Sequence, residues 1–341
     1  MQRSCLLIIT VILVGYLFWM AKAFFLPLVC AGAIAYAIIV MVEGVRKLRW
    51  RGQALPRWLA ALTTVMIFLA ALNIVYKMVS SNITALLAAI PRYEELFALK
   101  IDRIAAALSL DLSKMQTFFE KIDLVKITQL LFAAVTDLAG NMGLILIYLI
   151  FFLMEYGFFH EKMLALFPVE GHRQNMMKLV DKAINRINLY AKVKLLTSLA
   201  TGLCSYVVMV LVGLDFASFW AFIIFFLNFI PNIGSIIATI FPCILAFVQF
   251  DTYVPMVVLA LSLSAIQFSI GSIIEPRVMG KSFNMSGLLV ILSLVVWGYI
   301  WGIVGMVVSV PIMVMVSIIL ANFPRSRWLA ILMSRDGQIE Q

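Results

Sequence analysis

Polar groups capable of binding a solute fall in two places within an otherwise apolar chain. The first is Asn228-Phe229-Ile230-Pro231-Asn232-Ile233-Gly234-Ser235, set at the centre of a nearly continuous apolar run from Phe216 to Phe250. Asn228, Asn232 and Ser235 supply amide donors, carbonyl acceptors and a hydroxyl. Pro231 removes a backbone donor and interrupts a helix, and Gly234 permits backbone shapes that other residues resist. If such a tip lies at membrane depth, the freed helix ends add partial charges of either sign. Those groups suit a small, uncharged, hydroxyl-rich solute, and free carbonyls could equally hold a dehydrated sodium ion. The second place is Glu275-Pro276-Arg277, a charged pair next to an apolar segment. It reads as a gate or a proton- or cation-sensing carboxylate, or as an interfacial loop pair whose arginine serves topology; structure or gating is favoured over direct substrate contact.

The elements that must position these groups are membrane spans. The 341 residues are 64% hydrophobic and 13% charged, against about 25% charged in soluble domains. The net charge of +9 is carried by short loops between apolar runs. The positive-inside rule accounts for it better than nucleic-acid binding does. Cys5, Cys30, Cys204 and Cys243 lie inside apolar runs without ligand spacing and read as core residues.

A straight helix over the roughly 35 residues of 216–250 would rise about 52 Å. The hydrocarbon core is roughly 30 Å thick. Two arms folding back around the polar tip is one reading; two short spans joined by a turn in water is the other. Asp215 and Asp251 at the flanks favour a hairpin that starts and ends outside. Non-helical backbone at membrane depth survives only where protein or a water-filled cavity satisfies it, so such a break is a candidate transport site. A second long run, from Ser286 to Leu320, is interrupted near Gly298, Gly302 and Gly305 and again at Pro311.

In chain order, the sequence predicts an all-α polytopic membrane protein with re-entrant or broken helical hairpins. Residues 1–79 hold an N-terminal hairpin, with Pro27 near its turn, and a third span. Arg3 and Ala21-Lys22-Ala23 mimic a signal peptide, but a retained first span is favoured. Arg46, Lys47, Arg49, Arg51 and Arg57 place the following loop inside. Residues 80–137 form an external amphipathic helical insertion, with a capping-box pattern at Ser113-Lys114-Met115-Gln116. Residues 138–158 return inward. Residues 159–193 form a cytoplasmic linker whose Lys178, Lys182 and Arg186 stripe suits a helix lying on the anionic leaflet. Residues 194–325 are the C-terminal core with the broken helices, and 326–341 a cytoplasmic tail. Both termini fall on the cytoplasmic side. His160 and His172 read as loop histidines rather than metal ligands.

Phe229-Ile230-Pro231-Asn232-Ile233-Gly234-Ser235, then Ile274-Glu275-Pro276-Arg277-Val278-Met279-Gly280, then the stretch from Trp297-Gly298 to Pro311 resemble the autoinducer-2 exporter family. The resemblance runs the length of the chain and identifies a family better than a cargo. It implies a bacterial inner-membrane transporter of about seven or eight spans, a homo-oligomer with a pentamer as the expected count, and export of the quorum-sensing signal autoinducer-2. Sodium or lithium/proton antiport is the alternative that relatives suggest. A non-transporting scaffold is a third reading. The ionisable residues Lys22, Lys77, Glu155, Asp215, Asp251 and Glu275 fall at segment ends, which argues against a proton relay through the bilayer centre. No Ser-His, paired aspartate or His-Glu-x-x-His set occupies the spans, so no enzyme, cofactor or metal site is expected. No nucleotide-binding loop is present, so active transport would draw on a gradient or a partner.

Overall fold

The computed structural model describes residues 2–47, 49–50, 53–54, 56–108, 140–166, 170–280 and 284–338. Helices α1 (Gln2–Met20) and α2 (Lys22–Lys47) are followed by two-residue strands β1 (Arg49–Trp50) and β2 (Gln53–Ala54), paired antiparallel. Then come α3 (Arg57–Leu108), α4 (Met142–Tyr156), α5 (Phe159–Leu166), α6 (Glu170–Val212), α7 (Ala217–Leu227), α8 (Ile233–Gln249) and α9 (Val254–Gln267). A π-helix (Phe268–Ile274) leads directly into α10 (Glu275–Met279), and α11 (Gly287–Asn322) and α12 (Arg327–Met333) close the chain. The capping-box segment at 113–116 lies outside the described residues.

The protein is all-α and membrane-spanning. Among the described residues, Lys22–Arg46, Met176–Val212, Val254–Met279 and Gly287–Asn322 are long and apolar enough to cross a bilayer by length and composition, the last of them interrupted at Gly302. Leu59–Ala70, Met142–Tyr156, Ala217–Leu227 and Ile233–Gln249 are shorter apolar helices. The α6 helix illustrates the solvent inversion. Leu196, Leu203 and Leu211 are 65%, 61% and 81% exposed, whereas Ser198, Thr201 and Ser205 are fully buried. In lipid the apolar face turns outward and hydroxyls face neighbouring helices.

The chain divides into two compact units, Met1–Thr64 with Asn141–Leu195 and Pro276–Gln341, and Val65–Gly140 with Leu196–Glu275. In the first, α2 packs on α4, with the Phe24 and Tyr148 rings 5.8 Å apart. Phe18, Phe25, Trp297 and Trp301 form an aromatic cluster, and the Trp301 indole donates to the Phe18 carbonyl at 3.2 Å. Tyr190, Leu179 and Ala183 of α6 pack with Val310, Val314 and Ile318 of α11. In the second unit, Met209, Leu214, Ile224, Ala246, Leu259 and Leu263 form the buried centre, joined by Tyr93 of α3.

Several segment boundaries differ from the sequence expectation. The break between α1 and α2 is at Ala21, while Pro27 sits inside α2. The helix that begins near residue 58 continues past the third span into the following polar segment, as α3, to Leu108 through Pro91. The second part of the 159–193 linker is one helix with the span that follows, Glu170–Val212. No proline interrupts that stretch, so one hydrogen-bonded helix continues from its polar part into its apolar part. The Glu275-Pro276-Arg277 motif is not a loop but the first turn of α10, continuous with the π-helix before it, whose ladder the Glu275 amide closes by donating to the Ile270 carbonyl. Pro311 does not break α11; the single non-helical residue inside that helix is Gly302. One lost backbone bond at Pro311 is tolerated where packing holds the helix, here through Val310 and Val314.

Candidate functional site

The 216–250 segment folds back on itself. Residues 228–232 form the reversal, and Trp220 of α7 stacks on Phe241 of α8 at 5.9 Å. The arms are short beside a typical span: α7 has 11 residues and α8 has 17, against about 20 for a helix that crosses the hydrocarbon core.

Local chemistry builds the tip. The Ile233 amide donates to the Pro231 carbonyl at 2.6 Å, closing a three-residue turn about Asn232, whose φ is 59° and ψ −57°. This is the rare γ-turn, strained for most residues, and asparagine tolerates positive φ better than bulkier side chains. The Ser235 hydroxyl donates back to the Asn232 carbonyl at 2.8 Å. Gly234 is buried with no room for a side chain: a Cβ there would sit 1.7 Å from the Leu227 carbonyl oxygen. Pro231, Asn232, Gly234 and Ser235 thus shape the reversal, and the Asn232 side chain stays exposed.

Asn228 is 95% buried, and its amide donates to the Ser198 hydroxyl of α6 at 3.0 Å. The adjacent residue, Thr197, donates to the Glu275 carboxylate at 3.3 Å. Consecutive residues of α6 therefore meet the hairpin tip and the charged motif, which lie 47 positions apart in sequence. Gly202 permits this approach, since a Cβ there would lie 3.1 Å from the Ala221 carbonyl and 3.2 Å from the Phe225 Cβ. Ser198 precedes Val212 by 14 residues of helix, about 21 Å at 1.5 Å per residue. The tip is therefore far from the Val212 end, where the hairpin begins. Pro276 and Arg277 are exposed.

Thr197, Ser198, Thr201 and Ser205 were not singled out by sequence reasoning. Their signal was a run of hydroxyls at helical spacing within an apolar stretch, which composition alone hides. Removing the Asn228–Ser198 bond gives a direct test. Asn228→Ala and Ser198→Ala are each expected to lower stability by about 1 kcal/mol. A double-mutant cycle on detergent-solubilised protein is expected to give a coupling of about 0.6–1.7 kcal/mol; additive losses would deny the bond.

The second interrupted run is also a hairpin. Gly302 has φ 64° and ψ −142°. A Cβ on Gly305 would lie 1.9 Å from the Trp297 carbonyl oxygen, and one on Gly298 would lie 2.9 Å from the Met306 Cε. Residues either side of Gly302 thus face each other, as Leu227 and Gly234 do in the first hairpin.

Residues 7–325 match the AI-2E family transporter family. The chain is 31% identical over 337 residues to the AI-2 transport protein TqsA of Escherichia coli (strain K12), covering 96% of this chain and 93% of that protein. It is 29% identical over 267 residues to YhhT of the same organism, covering 76% of this chain and 75% of that one. YueF of Bacillus subtilis (strain 168) is 22% identical over 327 residues, covering 88% and 84%. The last two are described as candidate transport proteins with no cargo named. With interrupted helices that the structure folds into hairpins and a match over nearly the whole length, this chain belongs to the AI-2E family of transporters.

Proposed function

We propose that this protein exports a small, neutral, hydroxyl-bearing solute of the autoinducer-2 kind across a bacterial inner membrane, with the 228–235 hairpin tip as its site or gate. The observation that carries this reading is the neutrality of the tip: its polar groups are amides, a hydroxyl and backbone carbonyls. Such groups exchange hydrogen bonds with a polyol without the desolvation cost of a buried charge. The similarity to TqsA, named for AI-2 transport, supports the cargo class. Both termini are assigned to the cytoplasm, and the working form is a homo-oligomer, with five copies the count the family resemblance implies.

The test compares extracellular signal in a deletion strain and in one overproducing the protein. Deletion is expected to retain the signal inside the cell and overproduction to raise it outside. Identical extracellular levels in both strains would sink the reading. Glu275, held by Thr197 at 3.3 Å, favours a second reading, sodium or lithium/proton antiport with that carboxylate as the ion-coupling group. Everted vesicles that move no protons on addition of either cation would dismiss it.

A further inference from the structure

The distal half of α3 makes a set of contacts that tip chemistry does not explain. Leu86, Tyr93, Phe97 and Lys100 recur at helical spacing and meet the base of the α7–α8 hairpin. Leu86 packs on Phe219. The Tyr93 hydroxyl donates to the Asp215 carboxylate at 2.7 Å. The Phe97 ring meets Phe247 edge-on at 6.0 Å. The Lys100 ammonium donates to the carbonyls of Phe247 and Phe250 and lies 5.3 Å from the Phe247 ring centroid.

Lys100 is only 8% exposed. Burial pushes its ammonium below the ordinary lysine range; Asp251 opposes that shift and Arg103 adds to it. A buried cation is costly unless fully bonded. Here its partners are carbonyls at the end of α8, groups that a helix terminus leaves unpaired and that the macrodipole makes negative. Gln249 completes the base: its side-chain carbonyl accepts from the Asp215 amide, and its amide donates to the Gly213 carbonyl, both at 2.8 Å.

The backbone on either side of α7 is strained. Among the described residues, the non-glycine positions with positive φ are Phe216, at 58°, and Asn232, at 59°. They flank α7, one at the base of the hairpin and one at its tip. A bulky residue such as phenylalanine at positive φ is an outlier that persists only where surroundings enforce it. Asp215, the residue before Phe216, is the one that Tyr93 and Gln249 hold. The helix nearest the tip is thus hung between two strained joints, and the base joint is fixed by α3.

We propose that the distal half of α3 is a strap across the hairpin base, and that its grip through Lys100 and Tyr93 sets how far the 228–235 tip is exposed. The proposal rests on the reading of that tip as site or gate only for its consequence in transport. The strap itself is testable without any cargo.

The protein is placed in nanodiscs with its native cysteines replaced and Ser235→Cys introduced, and the rate of maleimide labelling at position 235 is measured. Lys100→Met keeps the apolar stem and removes the charge; it is expected to raise the labelling rate about ten-fold, the factor that loss of a charge-assisted bond implies. Lys100→Arg is expected to stay within about two-fold of the parent, because it retains charge and donors. Tyr93→Phe, which loses a single hydrogen bond, is the milder variant and is expected to raise the rate in the same direction. A lower melting temperature with an unchanged labelling rate in Lys100→Met and Tyr93→Phe would reduce α3 to passive packing and overturn the strap. Faster labelling with unaltered solute export supports the strap and counts against the tip as gate. Unaltered labelling with intact export overturns the strap and leaves the proposed function standing.

Discussion

Gly234→Ala is expected to disrupt the first hairpin. A Cβ at this position falls 1.7 Å from the Leu227 carbonyl oxygen and 2.7 Å from its carbon. Both atoms are backbone, so no rotamer change relieves the overlap; α7 and α8 must separate. Overpacking a well-filled interior costs about 1–3 kcal/mol when side chains can adjust, and a backbone clash belongs at or above the upper end of that range. The displaced tip would also lose the Asn228–Ser198 bond, 3.0 Å long and wholly buried. Thermal unfolding in detergent and export in cells are both expected to fall sharply. Gly271→Ala is the matched control, since a Cβ there meets nothing within 4 Å. Parent-like stability and export in Gly234→Ala would mean that the hairpin does not close as described.

Gly302→Ala is expected to break the second hairpin by a different physical route. Its Cβ would meet nothing within 4 Å, but its φ of 64° and ψ of −142° lie where side chains are excluded by their own backbone. Holding an alanine there costs about 1–3 kcal/mol, and relaxing it straightens the chain and pulls Gly305 from Trp297. Gly298→Ala should be milder, because its 2.9 Å contact is with the end of the flexible Met306 side chain. The expected order of melting temperatures is therefore parent, then Gly298→Ala, then Gly302→Ala. The reverse order of the two variants would show that the reversal is centred elsewhere.

These two glycines show what was legible in advance. Interruption of the apolar runs near 228–235 and 298–305 follows from Pro, Asn and Gly, whose effects on backbone are local. The fold-back at 228–232 agrees with that reading. Pro311 shows its limit: a proline announces a missing donor, but neighbouring helices decide whether a helix bends or continues through it. The Glu275-Pro276-Arg277 turn shows the same limit, since it remains helical rather than opening into a loop. The long α3 and α6 helices ran through boundaries set by changes in polarity, because a helix can leave the apolar layer without losing its own hydrogen bonds.

The sequence by itself determined the all-α membrane class, the family and the two interruption points, because hydropathy, charge asymmetry and helix-breaking residues act over a few turns of chain. Tertiary structure alone decided which polar groups meet. Tyr93 and Asp215 are 122 residues apart, Lys100 and Phe247 are 147 apart, and Thr197 and Glu275 are 78 apart. Nothing in the local pattern of α6 separates a hydroxyl that bonds Asn228 from one that merely eases helix packing. That choice is made by which helices lie against one another, because in lipid no water stands ready to replace a missing partner.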